Sequence, residues 1–483
     1  MKLLSVLLKD SLVYGGADFF AKIVVFLLFP VMASMLSVSD FGYMEILYVS
    51  SAMLGFFVRG GLNNSIQRYY WSEQYSEGRR RVLVGTGFIM VLGLSFLVMS
   101  LLLPFSSVIA TLTNGYGIAM TAAGMVAMTL LAVSTQLQQF FLDVMRLGFQ
   151  RWQFLIFNSL CRVLVYIGAF LLVLAGVVGV DGFILALAVG GALCLPIGYF
   201  FIRKALSVKF DRTIAASLFR YGYPFVFVDI AYWLFSSVDR WMLASMSGMD
   251  AVGEYSVAWR LASIVMFASM AFGLAWSPYA IKVKTDHPEY YKKIYSVVLL
   301  FVVAGFVFMA GGVALFSGEL LHILFSGKYD AVSRALIVLV LIVVLQASHH
   351  VLALGISLEG KTYWFSRLAW VAVAINVVAN LFLLPVWGVE GAAVSTLLSY
   401  IFLTLAYYFI ANRLHPINYD YPRLLALVCI LFFVVGCAMF LRCSDLDLPL
   451  MLLKLLLLVV VGLLCLLSLR GRFDLVVARG AND

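Results

Sequence analysis

Six charged side chains lie deep inside apolar stretches of this 483-residue chain: Asp18, Lys22, Arg59, Arg162, Asp229 and Arg260. A charge in the middle of a bilayer is costly unless it meets a partner or a wet cavity, so each is a candidate for function. Four of the six are basic. Ammonium and guanidinium groups are the donors that anionic oxygens require, and Arg offers them a planar fork. Asp18 and Lys22 are four residues apart and share a helix face, so they can pair locally. Arg59, Asn63 and Gln67 recur at i, i+4 and i+8, which puts three polar groups on one side of a continuous helix. Asp229, Ser236 and Arg240 form a second stripe, interleaved with Tyr232 and Trp233, and Ser256, Arg260 and Ser263 form a third. The candidate binding residues are Lys22, Arg59, Asn63, Asp229, Arg240 and Arg260. Asp18 and Asp229 are candidates for coupling to an H+ or Na+ gradient, and no other cofactor is expected. Each polar group also has a structural reading. Asp18–Lys22 can be a local ion pair, Arg59 interhelical glue, and Arg162 with Asn158 a packing network. Glu45, Asp239, Arg240 and Glu254 can snorkel or form gate pairs at an outer mouth, and Lys454 can snorkel.

The elements that must hold these residues follow from composition. Hydrophobic residues make up 64% of the chain and charged residues only 12%, about half the roughly 25% of a soluble domain. Mean hydropathy is +1.04. That excludes a water-soluble enzyme, a nucleic-acid-binding protein and a disordered chain, since an exposed shell needs polarity. The formal net charge of +9 then marks basic loops on one face of a membrane. The six cysteines show no metal-ligand spacing and read as small buried hydrophobes.

A spanning helix needs about 20 apolar residues. Fourteen candidates fit, near 10–35, 40–67, 82–104, 116–142, 152–175, 182–202, 216–245, 251–280, 294–316, 331–358, 363–385, 391–412, 424–441 and 448–469. The first is too long for a signal-peptide core and carries Asp18 and Lys22 in its middle. Counted over alternate loops and the tails, 24 Lys and Arg residues fall on one side and only Lys328 and Arg442 on the other. The split favours an even number of spans with both termini cytoplasmic. Loops are short, so no extramembrane domain is expected on either face.

The chain also repeats itself with an offset near 210. Gly179-Val180-Asp181-Gly182 matches Gly388-Val389-Glu390-Gly391, and Tyr14-Gly15 matches Tyr221-Gly222. Asp40-Phe41-Gly42 resembles Asp250-Ala251-Val252-Gly253, and Arg151 matches Lys361. The offset spans six helices, so the halves are parallel repeats. The expected organisation is an all-α polytopic membrane protein with lobes at 1–208 and 209–415, plus an added helix pair and tail at 416–483. Two such lobes around a central site are the arrangement of an alternating-access transporter.

Several segments resemble bacterial polysaccharide (O-antigen type) flippases of the multidrug/oligosaccharidyl-lipid/polysaccharide exporter superfamily. They are Tyr14-Gly15-Gly16, Phe26-Leu27-Leu28-Phe29-Pro30, Ser39-Asp40-Phe41-Gly42-Tyr43, Arg59-Gly60-Gly61-Leu62-Asn63 and Arg68-Tyr69-Tyr70, with Gly360-Lys361-Thr362 and Gly388-Val389-Glu390-Gly391-Ala392-Ala393. The resemblance implies fourteen helices, two six-helix lobes in a V, and a cavity lined by helices one, two, seven and eight. It implies an undecaprenyl-diphosphate-linked oligosaccharide as cargo, moved from the cytoplasmic to the periplasmic leaflet of a bacterial inner membrane. It also implies contact with membrane lipids and, as partners, a polysaccharide polymerase and a chain-length regulator, but no nucleic acid. Alternatives are a peptidoglycan-precursor flippase or a multidrug/cation antiporter of the same superfamily. Outside it stand a membrane polymerase or glycosyltransferase and a non-transporting scaffold. An antiporter for cations calls for acidic cavity charge, whereas the deep set here is net basic.

No nucleophile motif, zinc spacing or carboxylate dyad is present, so the chain is not read as an enzyme. Gly355…Gly360-Lys361-Thr362 satisfies the P-loop spacing, but it joins two hydrophobic helices, without the strand a P-loop follows. His349 and His350 point about 100° apart on a helix, poor geometry for joint metal ligation.

Overall fold

The computed structural model describes residues 2–72, 76–442 and 447–470, with side chains in the first helix described at Gly16 and from Phe19 onward. The side chains of Lys2, Lys9, Tyr14 and Asp18, and residues Cys443, Arg472 and Arg479, lie outside that set. All regular structure among the described residues is helical. In chain order the helices are α1 (Lys2–Met35), α2 (Val38–Arg59), α3 (Leu62–Tyr70), α4 (Glu77–Leu102), α5 (Ser106–Gly115) and α6 (Ala122–Leu147). Then come α7 (Arg151–Leu174), α8 (Val180–Ile202), α9 (Arg212–Ser247), α10 (Met249–Asp286) and α11 (Tyr291–Leu315). The last are α12 (Ser317–Phe325), α13 (Asp330–Leu358), α14 (Tyr363–Leu414), α15 (Tyr421–Phe440) and α16 (Leu448–Leu469).

Among the described residues, 12 helices are long and apolar enough to cross a membrane. This is the polytopic membrane architecture the composition demanded. One of them, α14, has 52 residues. A straight helix of that length would extend roughly 78 Å, more than twice a bilayer's hydrocarbon core. It does not run straight. Gly388 has φ 51° and ψ −123°, and a Cβ on Gly391 would sit 2.4 Å from the Leu383 carbonyl oxygen. Eight residues apart, those groups would be about 12 Å distant in one helix, so the chain doubles back at Gly388. Eleven of the twelve match expected spans one to one, α14 covers the two expected at 363–385 and 391–412, and the described apolar part of α1, Phe19–Met35, is shorter than the twelve.

Contacts divide the chain into two compact units, Met1–Ser237 with Gly248–Gly253, and Val238–Ser247 with Glu254–Asp483. The division runs through α9, whereas the sequence reading placed a boundary at 208/209. In the first unit, aromatic rings of α4, α6 and α7 form the centre. Phe88–Phe140 and Phe141–Phe157 centroids lie 5.5 and 6.1 Å apart. Gly198 on α8 admits them, since a Cβ there would fall 2.4 Å from the Phe141 ring. Small residues at such crossings let helices approach in lipid, where packing replaces the hydrophobic effect. At the start of α9, Asp211 accepts from the backbone N–H groups of Thr213 and Ile214 at 2.8 and 3.1 Å. The Thr213 hydroxyl bond, followed by the Ile214 amide, holds the Asp211 carboxyl below its ordinary range.

In the second unit, α13 packs against both α11 and α14; Tyr295 is buried near the start of α11 against Tyr291 and Trp276, and Phe325 and Tyr329 are buried together beyond its other end. Lys454, expected to snorkel, does not. It is fully buried on α16 and donates to Glu319 of α12, itself 2% exposed. A side chain in the middle of a 22-residue helix (α16) that packs against its own unit finds a carboxylate nearer than the membrane surface. His349 rests against Tyr400 and Tyr407 and bonds Thr404, while His350 bonds Ser269 on α10. The P-loop-like run starts in the last turn of α13 and continues through the short turn before α14, with helices on both sides. Of the described cysteines, Cys161, Cys194 and Cys465 are buried as expected, but Cys429 is exposed.

Removing one partner of a buried ion pair strands the other. Lys454→Met is therefore expected to lower stability by about 3–5 kcal/mol, and adding Glu319→Leu to recover most of that loss. Thermal melting in detergent checks both; equal melting of the single and double variants would contradict the pairing.

Candidate functional site

The sequence reading ran one helix from 40 to 67. The structure breaks it. Gly60 and Gly61 both adopt left-handed backbone, with φ 56° and 70°, and α2 ends at Arg59 with the Gly60 N–H capping the Phe56 carbonyl. Arg59 and Asn63 therefore lie on different helices, and the expected Arg59–Asn63–Gln67 stripe is not continuous. The break serves a close crossing. A Cβ on Gly61 would stand 2.0 Å from the Gly222 carbonyl oxygen of α9. Beside it, Ser65 of α3 donates to the Leu218 carbonyl at 2.7 Å.

Held at this corner, the half-buried Arg59 donates through Nε to Oε1 of Gln136 on α6, at 2.9 Å. Gly55 makes room for that amide, because a Cβ there would meet Gln136 Nε2 at 2.5 Å. Among the described residues the two Nη atoms of Arg59 have no hydrogen-bond partner. Its charge acts on Asp229 of α9 and Asp143 of α6. The network continues along α6: Gln139 donates to Asp143 at 2.8 Å, and Arg162 of α7 donates to Gln139 at 2.6 Å. Arg146 lies 4.0 Å from Asp143. Arg162 sits in a π-helical turn, Leu160–Leu164, a local rewinding that turns its side chain toward α6. Three guanidinium groups thus share two carboxylates and two amides, leaving the assembly net positive. Such a set can orient one Arg fork and still present N–H donors to an anionic oxygen.

The second unit holds a polar cluster of different character. Asp239 accepts from the Tyr255 hydroxyl and from the Arg240 amide N–H. The Tyr255 hydroxyl is 3.3 Å from that of Thr396, and Asn376 and Asn380 extend the chain along α14. The Arg240 guanidinium lies 5.9 Å from the Tyr255 ring centre and 6.0 Å from that of Trp259. Asp239, Arg240 and Tyr255 are all at most 6% exposed. This cluster ties helices together; Asp239, Arg240 and Glu45, for which snorkelling was one reading, are buried instead.

Of the predicted residues, the structure brings Arg59 and Asp229 together within the first unit. Lys22 is exposed on α1, and Asn63 Oδ1 is buried without a hydrogen-bond partner. Arg240 and Arg260 belong to the second unit, where Arg260 is half-buried. The side chain of Asp18 lies outside the described residues. Trp233, read as interleaved with a binding stripe, is buried and donates to the Val49 carbonyl at 2.8 Å. Sequence reasoning missed Gln136, Gln139, Asp143 and Arg146. Their spacing at i, i+3, i+7 and i+10 is a helical stripe, but the expected span stopped at 142, and α6 continues to Leu147.

Comparison with known proteins is consistent with this architecture. The sequence profile of the family described as "Polysaccharide biosynthesis protein" matches residues 7–284. A probable low-salt glycan biosynthesis flippase, Agl15 of Haloferax volcanii, is 26% identical over 274 residues, covering 55% of this chain and 56% of the relative. The chain spans about half the length of the curated relatives it matches. Among solved structures, a lipid II flippase MurJ in an inward closed conformation superposes with TM-score 0.72 at 14% identity, covering 97% of this chain and all of that one. An inward-facing multidrug resistance MATE family transporter of the MOP superfamily gives TM-score 0.64 at 15% identity, with 83% and 94% coverage. At these identities the likeness is one of fold.

A methyl group at Gly61 must displace backbone. Gly61→Ala is expected to cost about 1–3 kcal/mol, while Gly78→Ala, with nothing within 4 Å of its Cβ, serves as the tolerated control. Melting temperatures of the two purified variants give the comparison.

Proposed function

The chain belongs to the polysaccharide biosynthesis protein family, and from that membership we propose that it is a lipid-linked oligosaccharide flippase. It moves an undecaprenyl-diphosphate-linked unit of O-antigen or exopolysaccharide type from the cytoplasmic to the periplasmic leaflet of a bacterial inner membrane, by alternating access. The observation that carries this reading is Arg59, an intramembrane guanidinium oriented through Nε by Gln136 while its Nη atoms stay open to a ligand. A diphosphate travelling through a membrane needs such a donor, because lipid offers none. Arg260 and Lys22 supply further positive charge along the route. Asp229, within the field of Arg59, is its counter-ion between substrates or the coupling-ion site for H+ or Na+. The lipid tail stays among membrane lipids while the glycan crosses. A polymerase and a chain-length regulator are the partners that would consume the product. The matched relative Agl15 is archaeal and is named for glycan biosynthesis, which supports the substrate class; the undecaprenyl carrier and the bacterial setting come from the sequence resemblance.

Charge-assisted hydrogen bonds contribute about 1.5–3 kcal/mol each, so losing the Arg59 fork should weaken transport roughly tenfold or more. In a strain lacking the gene, complemented at matched membrane abundance, Arg59→Ala and Arg260→Ala are expected to lose surface polysaccharide, with Arg59→Lys intermediate. Full polysaccharide from both alanine variants would remove these residues from the path. A deletion strain that loses surface polysaccharide and keeps dividing favours this cargo; lysis of that strain favours a peptidoglycan precursor.

A further inference from the structure

A cavity of about 630 Å³ lies in the second unit beside two lysines. It opens between the first turn of α11 and the segment 416–420 that leads into α15. Lys292, half-buried, and Lys293, exposed, stand on one wall. Neither has an ion-pair or hydrogen-bond partner among the described residues. The floor is apolar: Val297 and Leu300 are 3% and 1% exposed. Ser296 and Asn418 add neutral donors. Two carboxylates also line the cavity. Asp420 lies 3.7 Å from Arg423 and is already matched, which leaves the exposed Glu289 at the rim.

The basic residues at the start of α4 are committed locally. Arg81 pairs with Glu77 at 2.8 Å, and Arg80 lies over the Trp71 ring at 4.6 Å. At the start of α11, Glu289 stands four residues before Lys293, the spacing of Glu77 and Arg81, but among the described residues it forms no ion pair with either lysine, no ring covers them, and the cavity lies beside them.

We propose that this cavity binds the phosphate of an anionic membrane phospholipid. The two ammonium groups take the phosphodiester oxygens, Glu289 and Asn418 accept hydroxyls of a glycerol headgroup, and Val297 and Leu300 receive the start of the acyl chains. Free phosphate shares the anionic chemistry but has no use for the apolar floor. Lys292 and Lys293 belong to the loops that the charge asymmetry places at the cytoplasmic leaflet, where anionic lipids add about 1 kcal/mol of attraction per basic residue. The residues lining the cavity all belong to the second unit, and the inference does not depend on what the protein transports.

The test is lipid retention by the purified full chain, read by native mass spectrometry after exchange into mixed phosphatidylglycerol and phosphatidylcholine vesicles. The intact chain is expected to retain phosphatidylglycerol preferentially, and Lys292→Gln/Lys293→Gln to reduce that preference roughly tenfold or more. Both lysines are at the surface, so the variant should melt like the parent in phosphatidylcholine alone. Equal retention of the two lipids by the parent, or an undiminished preference in the variant, overturns the proposal. So does displacement of the lipid by millimolar inorganic phosphate, which would identify a free-anion site. Because the readout is binding, loss of the proposed flippase activity would leave this result standing.

Discussion

Hydrocarbon cannot solvate a charge, and that constraint arranges the polar residues of this chain. Several ionisable groups drawn into the helices find partners. Lys454 and Glu319 meet each other with both side chains sealed. Asp239 is enclosed by the Tyr255 hydroxyl and the Arg240 amide. Asp143 collects Gln139 and the fields of Arg59, Arg146 and Arg162. A low dielectric makes each of these arrangements stiff, because losing one member leaves the rest uncompensated.

The same solvent explains the glycines. Helices in lipid gain little from burying apolar surface against one another, so close backbone approach has to supply the packing. Gly61 against Gly222, and Gly198 against the Phe141 ring, are contacts that a single methyl would prevent. Gly42 and Gly253, from related motifs of the two repeats, make a reciprocal contact. A Cβ on the first would meet the Met249 carbonyl, and one on the second the Val38 carbonyl. The breaks at Gly60–Gly61 and Gly388 use positive φ, which L-residues adopt at a cost. These positions decide where helices end, and therefore which way the charged side chains beside them point.

A division of labour follows. In the second unit, Asp239, Tyr255, Thr396 and the α14 asparagines form a chain of donors and acceptors that links α9, α10 and α14. In the first unit, the network around Arg59 is extended: Gln136 accepts from its Nε, and Gln139, Asp143 and Arg162 carry the contacts further along α6. A rigidly oriented fork loses less rotamer freedom on meeting an anionic oxygen than a free Lys would.

Hydropathy and loop charge, which are local properties, were enough to establish a polytopic helical membrane protein and to mark Arg59, Asp229 and Arg260 as charges needing explanation. The repeat was visible in the same way, through glycines and acids at helix starts. Partner choice was not. A 3.6-residue period carries no record of which helix lies opposite, so Lys454 read as a snorkelling residue until Glu319 was placed beside it. The Arg59–Asn63–Gln67 stripe assumed a helix that two successive glycines interrupt, and the Gln136–Asp143 stripe was cut off by a boundary drawn five residues early. Composition determines how many segments must leave water; only the packing of distant segments decides which charges meet, because that depends on backbone approach distances that no single stretch of sequence contains.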